Sequence, residues 1–181
     1  MIKQNNIVVK QYVDELRNAH IAFCYFDNKY GVLCDATNEN LVHKMYTKLL
    51  PQRMYLLVDN VVKLRHYVSE IPEIAYDLWE TSENNVLIVF SELQNLSATI
   101  QQNSANVALG VLSDGFLQNL LQQFRIPLLF IPFVSETDKE IAEIQHIIPY
   151  FNMAFDKNRK LYAGYGIIKL QKDGTFVILR K

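Results

Sequence analysis

Three short, unbroken apolar runs, at residues 86–90, 107–112 and 127–133, constrain the fold of this chain more than any other feature. They are rich in Val, Ile, Leu and Phe and lack the in–out alternation of a strand with one wet face, so each reads as a strand buried on both faces. Gly115 introduces a helical pattern over 116–124 between the second and third runs. Strands that need cover on both sides, separated by helices, predict an α/β (α+β) fold with one large twisted sheet.

The remaining elements fit that frame. Residues 7–19 place Val8, Val9, Tyr12, Val13 and Leu16 on one face of an amphipathic helix, which Asn18 and His20 close. Two short strands at 21–25 and 30–34 flank the polar turn Asp27-Asn28-Lys29. Asn38 predicts the N-cap of a helix that runs to about residue 50, where Pro51 stops it. A strand at 54–58 is followed by two short helices at 61–68 and 72–79. Thr137 or Asp138 caps a helix carrying Ile141, Ile144, Ile147 and Ile148, and Lys172-Asp173-Gly174 is a hairpin turn between strands at 167–171 and 175–180. The polar stretch 94–106 is the one expected long excursion. No internal repeat or linker interrupts the pattern, so residues 1–181 are expected to form a single domain.

Composition narrows the function classes. Half of the 181 residues are hydrophobic and 20% are charged, enough for a sizeable core. The formal charge of −1 gives no strong counterion-release drive toward nucleic acid. Cys24 and Cys34 are too few for a disulfide framework and come without Cys-x-x-Cys or His-x-x-x-His spacing, so they read as buried strand cysteines in a reducing, cytoplasmic protein, with no metal site. The four histidines, without a carboxylate partner at a diagnostic spacing, read as structural or solvated. The first residues lack a signal-peptide pattern, and no apolar run approaches the ~20 residues that span a bilayer, so no membrane is expected.

One segment points to a family. Residues 22–35 read Ala-Phe-Cys-Tyr-Phe-Asp-Asn-Lys-Tyr-Gly-Val-Leu-Cys-Asp. This resembles the YrdC-like family of threonylcarbamoyl-AMP synthases, in which the segment runs roughly Pro-Thr-Glu-Thr-Val-Tyr-Gly-Leu-Gly-Cys-Asp. Tyr30-Gly31, Cys34-Asp35 and the carboxylate Asp27 keep their places, whereas Tyr25 replaces the proline and Phe26 the threonine. Val107-Ala108-Leu109-Gly110-Val111, the helix after it and Arg125-Ile126-Pro127-Leu128 fit the family's strand, helix and Pro-Leu strand. The resemblance covers most of the chain. It implies a YrdC-like twisted mixed sheet flanked by helices, with an open concave cleft, and a reaction that joins threonine, bicarbonate and ATP, with Mg, into threonylcarbamoyl-AMP and pyrophosphate for tRNA threonylcarbamoyladenosine biosynthesis.

Such chemistry needs cations for the phosphates and hydroxyls or amides for the carbamate and adenylate oxygens. At the positions the resemblance assigns to the pocket, this chain offers other groups. The family's Lys-x-Arg pair corresponds to Lys48 and Arg53, out of register. The arginine of its Val-Arg-Val strand has become Gly110. Its Ser-x-Ser-Ala-Asn segment has become residues 130–134, including Phe130, Pro132 and Val134, and its Ser-Thr pair is Tyr165-Gly166. Ser104-Ala105-Asn106 spells the lost tripeptide but precedes the wrong strand.

The reading that follows is a divergent YrdC-like domain without synthase activity, its cleft filled or retuned for another ligand, with ATP and Mg expected as cofactors only if the synthase activity survives. One alternative is an active synthase using Lys48, Arg53 and Asp27. Another is a module for tRNA or double-stranded RNA with a basic face of Lys44, Lys48, Arg53, Lys63 and Arg65, or a second one of Lys157, Arg159 and Lys160; a protein partner is also open. Asp27 is expected to bond its own turn backbone, and Phe23, Tyr25, Phe26 and Tyr30 to form one aromatic cluster that either stacks a base or fills the core.

Overall fold

The computed structural model describes residues 2–82, 86–113, 115–134, 138–153 and 164–181. Its strands are β1 (Ile21–Phe26), β2 (Lys29–Asp35), β3 (Met54–Val58), β4 (Val86–Val89), β5 (Val107–Val111), β6 (Leu128–Pro132), β7 (Tyr150–Asn152), β8 (Gly166–Leu170) and β9 (Phe176–Arg180). They form one mixed sheet in the order β7-β1-β2-β6-β3-β5-β4-β8-β9. β1–β7, β3–β5 and β4–β8 run parallel, and the other pairs antiparallel.

Helices cover both faces. One face carries α2 (Glu39–Leu49), α3 (Leu64–Tyr67), α4 (Ile74–Thr81), α5 (Ala98–Gln102) and α7 (Asp138–Gln145), packed on inward residues such as Leu56, Ile88, Leu109 and Leu129. The other carries α1 (Ile2–Arg17) and α6 (Gly115–Phe124), packed on Leu33, Leu57, Ala108 and Leu128. Because successive side chains of a strand point to opposite faces, a strand sandwiched this way must be apolar at every position. β3, β5 and β6 are buried at all five positions each, as the apolar runs predict.

Local signals act as expected in several places. The Asn38 side chain accepts from the Leu41 N–H at 3.1 Å and starts α2. Asp27 and Asn28 form a two-residue hairpin loop with φ of 52° and 60°, the left-handed geometry that suits a β1–β2 hairpin and that Asp and Asn tolerate. Gly174, at φ +85°, turns β8 into β9.

Other expectations need correction. The stretch 94–106 is no structureless excursion, because Ser97 caps α5 by accepting from Ile100 N–H and a 3-10 turn follows at Ser104–Asn106. The helix expected over 61–68 splits into a 3-10 turn, Val61–Lys63, and α3, since the Asn60 side chain accepts from Val62 N–H and starts a tight first turn. β7 was not expected at all; Tyr150–Asn152 is too short and too polar at its ends to register as a strand without β1 beside it. Among the described residues no helix is long and apolar enough to cross a membrane.

Candidate functional site

Seven strand-to-strand steps separate β1 from β9 in the sheet order. At about 4.8 Å per step a flat sheet would hold them more than 30 Å apart. Instead the Arg180 guanidinium donates to Asp27 Oδ2 at 2.5 Å, so the sheet coils until the β1–β2 turn meets the end of β9. Asp27 Oδ1 accepts from the backbone N–H of Tyr165 at 2.8 Å, and Arg180 Nε and Nη2 donate to the Tyr165 carbonyl at 2.9 and 2.6 Å. The Asp27 side chain is fully buried. Asp27 therefore bonds residues at the far end of the chain, not its own turn as expected.

Arg180 reaches this position through an irregularity. Ile168 pairs with Ile178 and Ile167 with Arg180, leaving Leu179 as an extra residue in β9. Strict alternation would put Arg180 on the same face as Ile178. The bulge reverses the parity, and Arg180 emerges beside Ile167 on the face of α1 and α6.

Aromatic rings fill the space around the ion pair. Phe26 stacks on Tyr165 with ring centroids 5.1 Å apart, and meets Phe130 at 5.6 Å and Tyr55 at 5.7 Å, both edge-on. Phe26, Tyr55 and Phe130 are all buried. Burial first, and then the charge of the Asp27 carboxylate, push the Tyr55 phenol above its usual range against the pull of Arg180. Gly31 makes room for this arrangement: a Cβ there would lie 2.4 Å from the Ile131 carbonyl oxygen and 2.7 Å from the Phe130 ring. At Gly110 a Cβ would stand 2.4 Å from Leu87 Cδ2, so leucine occupies the volume in which an arginine side chain would begin.

The structure thus brings together Phe26, Asp27, Phe130 and Tyr165, on a face shared with Gly110 and with Pro132, whose backbone pairs with Gly31. Others are elsewhere. The expected cluster of Phe23, Tyr25, Phe26 and Tyr30 is divided by strand alternation. Phe23 stacks with Tyr30 and Phe133 on the side of α2, and the exposed Tyr25 ring meets Tyr30 at a tilt, whereas Phe26 points to the side of α1. Lys48 lies on α2, whose core contacts belong to the side opposite Phe26, and pairs with Glu143 at 3.3 Å. Arg53 donates to the Ala105 carbonyl at 3.3 Å. Val134 is exposed beyond the end of β6. Of the expected basic face, Lys44 and Arg65 are exposed on α2 and α3, and Lys63 pairs with Asp59 at 2.7 Å. Lys157, Arg159 and Lys160 fall outside the described residues.

Sequence reasoning missed Tyr55 and Arg180. Tyr55 is the one polar-tipped residue in the run Met54–Val58, which is a signal; for Arg180 the bulge removes the signal. It also missed that His20 has a carboxylate partner, Glu15, across the C-terminal turn of α1. Cys24 and Cys34 are buried free thiols on opposite faces, and burial pushes both thiols far above their ordinary values. Among the described residues, no group of three or more His, Cys, Asp or Glu is placed to hold a metal ion.

A family model described as Telomere recombination, Sua5/YciO/YrdC, matches residues 16–181. The chain belongs to the Sua5/YciO/YrdC family. Solved structures of that fold resemble it along nearly the whole chain. E. coli YciO matches with a TM-score of 0.72 and 16% identity, covering 98% of this chain and 89% of YciO. P. abyssi Sua5, in a structure described as complexed with L-threonine, matches at 0.71 and 16%, covering 95% of this chain and 53% of Sua5. T. kodakarensis HypF matches at 0.70 and 12%, covering 96% of this chain and 24% of HypF. The chain therefore spans about half the length of Sua5 and most of YciO. No curated protein matches it significantly by sequence. At these identities the structural likeness establishes the Sua5/YciO/YrdC fold, and the chain is a YrdC-like domain of that family.

Proposed function

We propose that this YrdC-like domain has lost threonylcarbamoyl-AMP synthase activity and that its own side chains occupy the substrate position of the family. The observation that carries the reading is the plug on the α1 and α6 side of the sheet: Phe26 stacked on Tyr165 and packed against Tyr55 and Phe130, with Asp27 held by Arg180 and the Tyr165 N–H. A synthase holding carbamate and adenylate oxygens needs donors aimed at them and space to receive them. Here the two hydroxyl-bearing positions of the family motif, 26 and 165, carry rings that touch each other, and the acid and base nearest them neutralise one another. The cation position at Gly110 is taken by Leu87. Two buried free thiols support a reducing compartment such as the cytoplasm.

The test is pyrophosphate release by the purified protein supplied with ATP, threonine, bicarbonate and Mg, beside calorimetric titrations with ATP and with threonine. The reading expects no turnover and no heat of binding at millimolar ligand. Pyrophosphate formation dependent on threonine would overturn it and restore the active-synthase alternative.

A further inference from the structure

The apolar pattern of β9 does not fix which way its last residues face. Phe176, Val177, Ile178 and Leu179 are all apolar, so a change of parity along the strand exchanges apolar for apolar on either face. Arg180 alone tells the two faces apart. Through the bulge it stands opposite Ile167 and donates to Asp27 and to the Tyr165 carbonyl. Leu179, the extra residue, has no opposite number in β8, interrupts the ladder and is 44% exposed.

The bulge can be absorbed without moving the rest of the strand. The pairs Ile168–Ile178, Lys169–Val177 and Leu170–Phe176 share one register, and continuing it sets Leu179 opposite Ile167 and Arg180 opposite Gly166. Leu179 then covers Ile167 on the α1 and α6 face, and Arg180 turns to the exposed face of Ile178, with no side chain on Gly166 to obstruct it. The buried Asp27 carboxylate keeps the Tyr165 N–H and loses the guanidinium. Two terms oppose each other. The straight strand regains a ladder pair and buries a leucine, whereas the bulged one keeps charge-assisted bonds on a buried carboxylate.

We propose that the end of β9 is a latch with two registers: a bulged one in which Arg180 holds Asp27 and Tyr165, and a straight one in which Leu179 replaces it and the first hairpin is freed from the guanidinium. An arginine serving as a fixed filler has no need of the extra residue, because without Leu179 it follows Ile178 directly and faces Ile167 by ordinary alternation. The extra residue is what gives the strand its second arrangement. The Arg180 side chain, one-third exposed, already has a path out. This latch rests on the packing around Asp27 and is independent of the loss of synthase activity, so its test involves no turnover.

The test is nitrogen-15 relaxation dispersion on the purified chain, which reads exchange on the microsecond to millisecond scale. Amides 166–168 and 178–181 should exchange together with a minor population of about 1%, the straight register. Arg180→Ala removes the hold on Asp27, so the straight register should become its major state, and its amide shifts should match those of the wild-type minor state. Deletion of Leu179 should keep Arg180 on Asp27 and abolish the exchange. Flat dispersion in the wild type, exchange that persists after the deletion, as simple fraying of the strand would, or minor-state shifts unrelated to those of Arg180→Ala would each overturn the latch. If Arg180→Ala fails to fold by circular dichroism, the deletion decides.

Discussion

The two faces of the sheet are built on different principles. Toward α2 to α5 the interior against the sheet is apolar, from Leu56, Ile88 and Leu109 to Trp79, whose one polar atom, the indole N–H, donates to the Val86 carbonyl at 3.2 Å, and its buried polar side chains are the neutral Ser97 and Thr99 between α2 and α5. Toward α1 the interior is equally dense but contains a buried carboxylate, a guanidinium and a phenol. The first face is stabilised by removing methyl and methylene groups from water and tolerates repacking. The second also depends on pairing: the Asp27 carboxylate is buried and the Arg180 side chain one-third exposed, so the pair contributes little net stability over an apolar filling, yet removing the arginine strands the carboxylate. The packed interior on this face therefore retains a polar element, the Asp27–Arg180 pair, that the other face lacks.

Four substitutions or conditions would break or sharpen this contrast. Phe26→Ala should lower unfolding free energy by about 4 kcal/mol, at or above the about 3 kcal/mol of Leu56→Ala on the other face; urea denaturation gives both. A Phe26→Ala loss below about 1 kcal/mol would mean the ring is not part of the core. Arg180→Met should cost about 3 kcal/mol by stranding the Asp27 carboxylate, and adding Asp27→Asn should recover more than 1 kcal/mol of it, a coupling that no apolar pair on the α2 side would match. Alkaline pH tests both faces at once, because Cys24 lies on one and Cys34 on the other. Their thiols are raised in the folded state, so their contribution is complete below the unfolded thiol pKa and is lost as pH rises past about 8.5. Each should remove about 1.4 kcal/mol per pH unit, and Cys→Ala at either site should remove its share of the slope. Lys48→Ala, which breaks only the half-exposed pair with Glu143, should change stability by less than about 0.5 kcal/mol.

What was legible in the chain follows the same division. The three apolar runs gave three interior strands, Asn38 its cap and Gly174 its hairpin, because each depends on periodicity or on neighbours within a few residues. The resemblance carried by Tyr30-Gly31 and Cys34-Asp35 led to the right family. The packing of Phe26 was half visible: Phe26 and Tyr165 stood out as aromatic residues where the resemblance implies hydroxyls, but their contact did not. The partner of Asp27 was hidden because it lies 153 residues away and is aimed by a bulge that inverts strand parity. Lys48 and Arg53 carried the right chemistry, and only the three-dimensional arrangement shows that they are engaged elsewhere.

The bond between Asp27 and Arg180 also bears on the order of folding. It joins the tip of the first hairpin to the last residue of the last strand, so it forms only once every intervening strand is in place, and the entropy of closing so long a loop falls on a late step. A nascent chain still short of residue 180 leaves the carboxylate of its first hairpin without this guanidinium. The contact thus ties the conformation of the first hairpin to that of β9, so loosening either one releases the other.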